Sequence, residues 1–238
     1  MTMVIRIVRS AWSLLLICSL VFLLSGPPVS AHHPGARLDE LMGSKERYFQ
    51  IIDRPVPDFT LQDADSRKIA SADLRNKIVV LHFIYAGCPD ICPLHAERIA
   101  GVQEMIAQTP MKDRVQFLTI TTDPANDTLN VMRDYGPAHG LDPNNWLFLT
   151  TLADQPENTT RELAKKFGHK FLKTDDGYQT HSIVTHVIDR GGRWAANFHG
   201  LRFKPVNLVL YLNGLSNSGS RAKRPTEPST WERLRKLF

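Results

Sequence analysis

Apolar and polar positions change period several times along this chain, and the changes mark out its elements. Residues 78–85 are apolar at almost every position. A half-exposed strand would alternate, so this run predicts a central strand covered on both faces. Across residues 94–107 the period lengthens, and Leu94, Ile99, Val102 and Ile106 form one stripe at helical spacing. Residues 115–121 read as the next strand, closed by Asp123-Pro124, which serves as a turn and helix-start signal. Asp127-Thr128 supplies an N-cap for a helix through Tyr135. A third strand is expected at 146–149 and a third helix at 157–167, stopped by Gly168. The β-branched run 182–188 predicts a strand that turns at Asp189-Arg190-Gly191-Gly192 into a partner at 193–198. Lys204-Pro205 opens a last helix that reaches about residue 212.

Upstream of the central strand, residues 57–61 and 68–70 flank a polar turn and suggest a short hairpin. A helical turn at 71–75 follows it. Residues 36–49 are mixed and partly helical, and Pro55 and Pro57 end them. A hairpin, then βαβαβα, then ββα predicts an α/β sandwich. A cysteine pair at the first strand-to-helix turn narrows this to a thioredoxin-like sandwich with an N-terminal β-hairpin extension, over residues 56–215.

The 238 residues suit one such domain plus tails. Segment 1–31 reads as a signal peptide or membrane anchor: Arg6 and Arg9 precede an uncharged run, and Val29-Ser30-Ala31 has the small residues that a signal peptidase reads. Export to a periplasm is therefore expected, with an uncleaved anchor in the inner membrane as the alternative. Residues 32–55 read as a linker. The excess of positive charge crowds residues 216–238, expected as a basic, disordered tail whose last eight residues carry a weak amphipathic pattern for a membrane surface. Lys and Arg are nowhere interleaved with aromatics as a nucleic-acid surface requires, so nucleic acid is excluded as a partner.

Removal of the leader takes Cys18 with it and leaves Cys88 and Cys92, four apart in Gly87-Cys88-Pro89-Asp90-Ile91-Cys92-Pro93. A helix N-terminus favours the thiolate, and a near-helical turn brings both sulfurs to one side. The pair is then a redox couple forming a reversible disulfide, or two donors of a soft-metal site. Thioredoxins space their cysteines one residue closer, and a peroxiredoxin would need a threonine three residues before its cysteine, where Tyr85 stands. Two thiolates and an imidazole suit copper(I) or zinc. In a thioredoxin-like architecture the loop entering the strand after the third helix faces the cysteine turn, which favours His181 as third donor over His95. His82 and His186 lie within strands and read as packed core residues.

These residues carry a resemblance. Cys88-Pro89-Asp90-Ile91-Cys92-Pro93, Thr122-Asp123-Pro124 with Asp127-Thr128, and Tyr178 to Ser182 with Val187-Ile188-Asp189 are similar to the three motifs of the SCO/SenC family. Thr180 stands where that family usually has an acidic residue, and Ile84-Tyr85-Ala86 replaces its commoner Gly-Phe-Thr. The resemblance implies a copper ion held by Cys88, Cys92 and His181, and a tether to a membrane. It also implies a partner, the copper-centre subunit of cytochrome c oxidase, which receives copper or has its thiols reduced. A chaperone with thiol–disulfide oxidoreductase activity is implied rather than a turnover enzyme.

Overall fold

The structure, a computed structural model, describes residues 34–173, 179–180 and 182–217. The leader, Tyr178, His181 and residues 218–238 lie outside the described residues.

The elements run α1 (Pro34–Lys45), β1 (Phe49–Pro55), β2 (Thr60–Gln62), β3 (Lys68–Ala70), a 3-10 turn (Ser71–Leu74), β4 (Ile78–Ile84) and α2 (Ile91–Ala107). They continue with β5 (Val115–Thr121), α3 (Leu129–Ala138), β6 (Trp146–Leu149), α4 (Thr159–Lys166), β7 (Leu172–Lys173) and β8 (Gln179–Thr180). The chain closes with β9 (Val184–Ile188), β10 (Arg193–His199) and α5 (Pro205–Asn217). Six strands form one mixed sheet in the order β1-β10-β9-β4-β5-β6. Strands β4, β5 and β6 are parallel. β9 returns antiparallel on β4, followed by β10 and β1. This is the expected thioredoxin-like sandwich.

The apolar run of β4 is buried at all seven positions. Ile78, Val80 and Ile84 face a layer built by α2, α3 and α5, whereas Val79, Leu81 and Phe83 face α4 and Leu61 of the hairpin. On α2, Ile99, Val102 and Ile106 are fully buried, and each contributes roughly 1.5–3 kcal/mol as an upper bound. The hairpin β2–β3 stands as its own two-stranded sheet, as expected. Its turn is organised by the buried Asp63, whose Oδ1 accepts from the backbone N–H of Asp65 and of Arg67, both at 2.9 Å.

Two expectations need correction. Residues 34–55 are not a linker. Strand β1 pairs with β10, and its bulge at Asp53 (φ 54°) is fastened by Arg193, which donates to the Asp53 carbonyl at 2.7 Å. Helix α1 lies on α5, where Tyr211 Oη donates to Asp39 at 2.9 Å and Leu38 covers Gly214. Glu46, just past α1, accepts from Lys204 N–H at 3.0 Å and Asn207 Nδ2 at 2.9 Å, and so caps the start of α5 from the other end of the chain. The second correction concerns α5, which continues to Asn217 because Leu215 and Ser216 are buried and Arg114 donates to Ser216 Oγ at 3.3 Å. Strands β7 and β8 were not expected; two residues each carry no legible period.

Candidate metal centre

Cys88 and Cys92 come together at the C-terminal end of β4. Cys88 sits in the turn after the strand, where its N–H donates to the Tyr85 carbonyl at 3.2 Å. Cys92 is the second residue of α2, and Pro93 the third. Proline is tolerated there because a first-turn N–H has no partner inside the helix. Both cysteines are free thiols, with Cys88 7% exposed and Cys92 fully buried.

The two sulfurs share a hydrogen bond and are unequal. Burial would push the Cys88 thiol up. The N–H of Asp90, the Cys92 thiol, the N–H of Cys92 and the Tyr85 hydroxyl together outweigh that, and its pKa falls below the ordinary value. Burial pushes the Cys92 thiol up, and its hydrogen bond to Cys88 raises it further. Cys88, at the helix N-terminus, is thus the more acidic of the two thiols, and Cys92 the less acidic.

The loop before the cysteines is tied down from far along the chain. The N-cap expected of Asp127-Thr128 is made by Thr128, which accepts from Val131 N–H, while Asp127 is buried. The Asp127 carboxylate accepts the Ala86 N–H on both oxygens at 3.1 Å and also takes the Thr121 hydroxyl. Thr122 N–H donates to the Ile84 carbonyl at 2.7 Å, closing the same corner. Asp123 serves the turn as expected, accepting from Asn126 at 2.8 Å and pairing with Arg161 at 3.4 Å. Nothing in the sequence except the Asp-Thr spacing pointed to Asp127.

The histidines divide by burial. His95, one turn beyond Cys92, is fully buried, with its Nε2 2.9 Å from Thr185 Oγ1 and its ring 4.8 Å from that of His82. His82 in turn lies 3.2 Å from Thr119 Oγ1. On the other face of the sheet, His186 bonds Asn197 at 2.8 Å and His169 at 2.8 Å, and burial holds it neutral, well below its usual pKa. His82 and His186 are core residues, as expected. Among the described residues no group of three or more His, Cys, Asp or Glu side chains is placed to hold a metal ion. The expected third donor, His181, lies outside the described residues.

Comparison with known proteins agrees with this arrangement. A family model described as SCO1/SenC matches residues 52–208. The SCO2 homolog of Bos taurus mitochondria is 32% identical over 136 residues, covering 57% of this chain and 50% of that protein. The chain therefore spans about half the length of that relative. A SCO1/SenC family lipoprotein from Bacillus anthracis has the same fold, with a TM-score of 0.64 at 20% identity over 70% of this chain and 98% of the other. ScoI of Bradyrhizobium japonicum, solved with copper bound, aligns with a TM-score of 0.55 at 25% identity, over 67% and 98% of the two chains. With two thirds of its length matched by the family's model, and the paired cysteines inside the match, the chain belongs to the SCO1/SenC family.

Proposed function

We propose that this chain is an exported copper-binding assembly protein, periplasmic and tethered to or released from the inner membrane by its N-terminal segment. Cys88, Cys92 and His181 hold copper in the reduced protein. The receiving partner is the subunit that carries the dinuclear copper centre of cytochrome c oxidase. The carrying observation is the buried, hydrogen-bonded thiol pair at the start of α2. Two thiolates form a soft donor pair that selects copper(I), and its burial excludes the water that would promote oxidation. Copper in the Bradyrhizobium relative supports the reading.

A second reading rests on the inequality of the sulfurs. The Cys88 thiolate would attack a partner's disulfide to give a mixed disulfide, and Cys92 would displace the partner's second sulfur. The partner gains two thiols and this chain a Cys88–Cys92 disulfide, so electrons balance.

Copper(I) loading under reducing conditions tests the first reading. Wild type and His95→Ala should each bind one equivalent, since the ring of His95 is engaged with Thr185. His181→Ala should bind at least about tenfold more weakly, the loss typical of a missing donor. Full affinity in His181→Ala, with disulfide exchange still dependent on both cysteines, overturns the copper reading in favour of the second.

A further inference from the structure

Helices α1 and α5 lie side by side and antiparallel at the surface. Leu38 covers Gly214 at one end of the pair, and Tyr211 donates to Asp39 at 2.9 Å. At the other end Glu46 accepts from Asn207 Nδ2 and the Lys204 N–H. That register sets Leu41 of α1 beside Leu210 of α5, on the outer edge of the seam between them. Leu41 is 49% exposed, and Leu210 and Val206, one turn apart on α5, are 47% exposed each. Leucines exposed singly are ordinary on a protein surface. Here three of the seven large apolar side chains that are exposed among the described residues share one seam.

Cations stand at both ends of this apolar strip. Arg37, Leu41 and Lys45 recur every four residues and so form one stripe along α1. Arg47 follows that helix, and Arg202 and Lys204 precede α5. All five cations are exposed, against a single exposed acid on α1, Glu40. The chain also enters and leaves this pair at one end: Pro34 lies four residues before Leu38, and Asn217 three after Gly214. Before Pro34 comes the sequence that reads as a leader or anchor, residues 1–31. After Asn217 comes a segment with six Lys and Arg against two Glu.

We propose that the α1–α5 seam is a membrane-resting face: Leu41, Val206 and Leu210 enter the boundary between headgroups and acyl chains of an anionic bilayer, and Arg37, Lys45 and Lys204 meet its phosphates. The inference rests on the membrane tether proposed above. Two features favour lipid over a second copy of the chain or another protein. The leader and the basic segment both join the domain at one end of the seam, and a tether ending at residue 31 holds the first turn of α1 within about 10 Å of the bilayer. An apolar strip rimmed by cations is also the composition of an interfacial surface, where Lys and Arg stems lie along apolar side chains and their heads reach anionic lipid. A tether by itself sets distance but not orientation. This face sets which side of the domain looks at the bilayer.

The test places the full-length chain in vesicles of phosphatidylethanolamine and phosphatidylglycerol, doped with a phosphatidylglycerol that carries a photoreactive group high on its acyl chain. Mass spectrometry then locates the lipid-labelled peptides. Label is expected on residues 34–47 and 202–217 and not on α3, whose exposed Val131 serves as the comparison surface. In Leu41→Glu/Leu210→Glu, label on those two peptides should fall about tenfold, while label on residues 1–31, the melting temperature and copper(I) affinity hold. Arg37→Gln/Lys45→Gln/Lys204→Gln should lower it several-fold, as should vesicles of phosphatidylcholine alone, and this variant decides the matter if the leucine variant melts early. Label confined to residues 1–31, spread evenly over α3 and α5, or unchanged in both variants overturns the face and leaves the tether standing. Absence of label on residues 1–31 overturns the tether and this inference with it. A dimer in detergent that the leucine variant splits assigns the seam to a second copy and also overturns the proposal.

Discussion

Replacing Asp127 separates what its hydrogen bonds do from what its charge does. In Asp127→Ala the Ala86 N–H loses the acceptor it now has at 3.1 Å, and the fully buried Thr121 hydroxyl loses its own. Leaving a buried donor unmet costs about 1–3 kcal/mol. Set against this, a buried carboxylate disappears whose pKa is raised because burial outweighs the hydrogen bonds from Thr121 and Ala86. A raised carboxyl pKa means that the ionised form is held at a net disadvantage, so removing the charge returns part of the loss. A destabilisation of about 2–3 kcal/mol remains. At a urea m-value of about 2 kcal/mol/M this lowers the unfolding midpoint by roughly 1 M. Asp127→Asn keeps an amide oxygen that, like Oδ2 now, can accept from both the Ala86 N–H and the Thr121 hydroxyl, so it should fall within about 1 kcal/mol of wild type. Because Ala86 stands two residues before Cys88, copper(I) affinity should drop several-fold in Asp127→Ala and stay near wild type in Asp127→Asn. Urea titration with a chelator competition reads both. Equal destabilisation of the two variants would show that the charge matters, and a silent Asp127→Ala would show that the corner holds without this tie.

Glu46 governs acid stability at the far end of the molecule. Burial would raise its pKa, but the hydrogen bonds from Lys204, Asn207 and Tyr48 hold it below the usual 4.5. A depressed carboxyl pKa stabilises the fold above the unfolded value, and that stabilisation is lost as pH falls through the folded value. Wild type should therefore exceed Glu46→Gln in urea unfolding at pH 6, with the gap closing below about pH 4; a constant gap refutes the cap. Gly136→Ala places a Cβ 2.2 Å from the Trp146 ring, which cannot swing away because its Nε1 donates to Thr119 at 2.8 Å. A loss of about 3 kcal/mol is expected, read as a fall of roughly 6–12 °C in melting temperature. An unshifted melting curve would mean that α3 slides freely on β6.

The interior of this fold was legible because its periods are long and unbroken. Strands β5 and β6 lie where the sequence put them, and the seven-residue β4 run is too apolar to be anything but a central strand. Helix α2 begins at Ile91 and buries Ile99, Val102 and Ile106 of the expected stripe, whereas Leu94 is exposed. The edge was not legible. Strand β1 alternates poorly, is half-exposed, and is broken by a bulge, so its place is set by β10 and by Arg193 rather than by its own pattern. The site shows the same division. Two thiols four apart at a strand-to-helix turn announce themselves, because the chemistry is local in sequence. Asp127 acts from 39 residues beyond Cys88 and looks, in sequence, like part of a helix-start pair. Only the crossover from β5 into α3 brings Asp127 to the loop that carries Cys88.

The histidines packed around the thiol layer are already committed to partners of their own. His95 is the imidazole that helical spacing brings closest to Cys92, yet its Nε2 meets Thr185 on β9, across the layer between helix and sheet. Turning it to a metal would leave the fully buried Thr185 hydroxyl without that partner and separate the ring from His82. His169 and His186 lie on the opposite face of the sheet, bonded to each other. A buried imidazole is kept where a hydroxyl, an amide or a second imidazole answers it, and such pairs are not given up for a passing ion. A ligand meant to let copper go is better carried on a separate segment that approaches the thiols without belonging to their layer. In the proposed site that donor is His181, which falls in sequence between the end of β8 and the start of β9 and outside these bonded pairs.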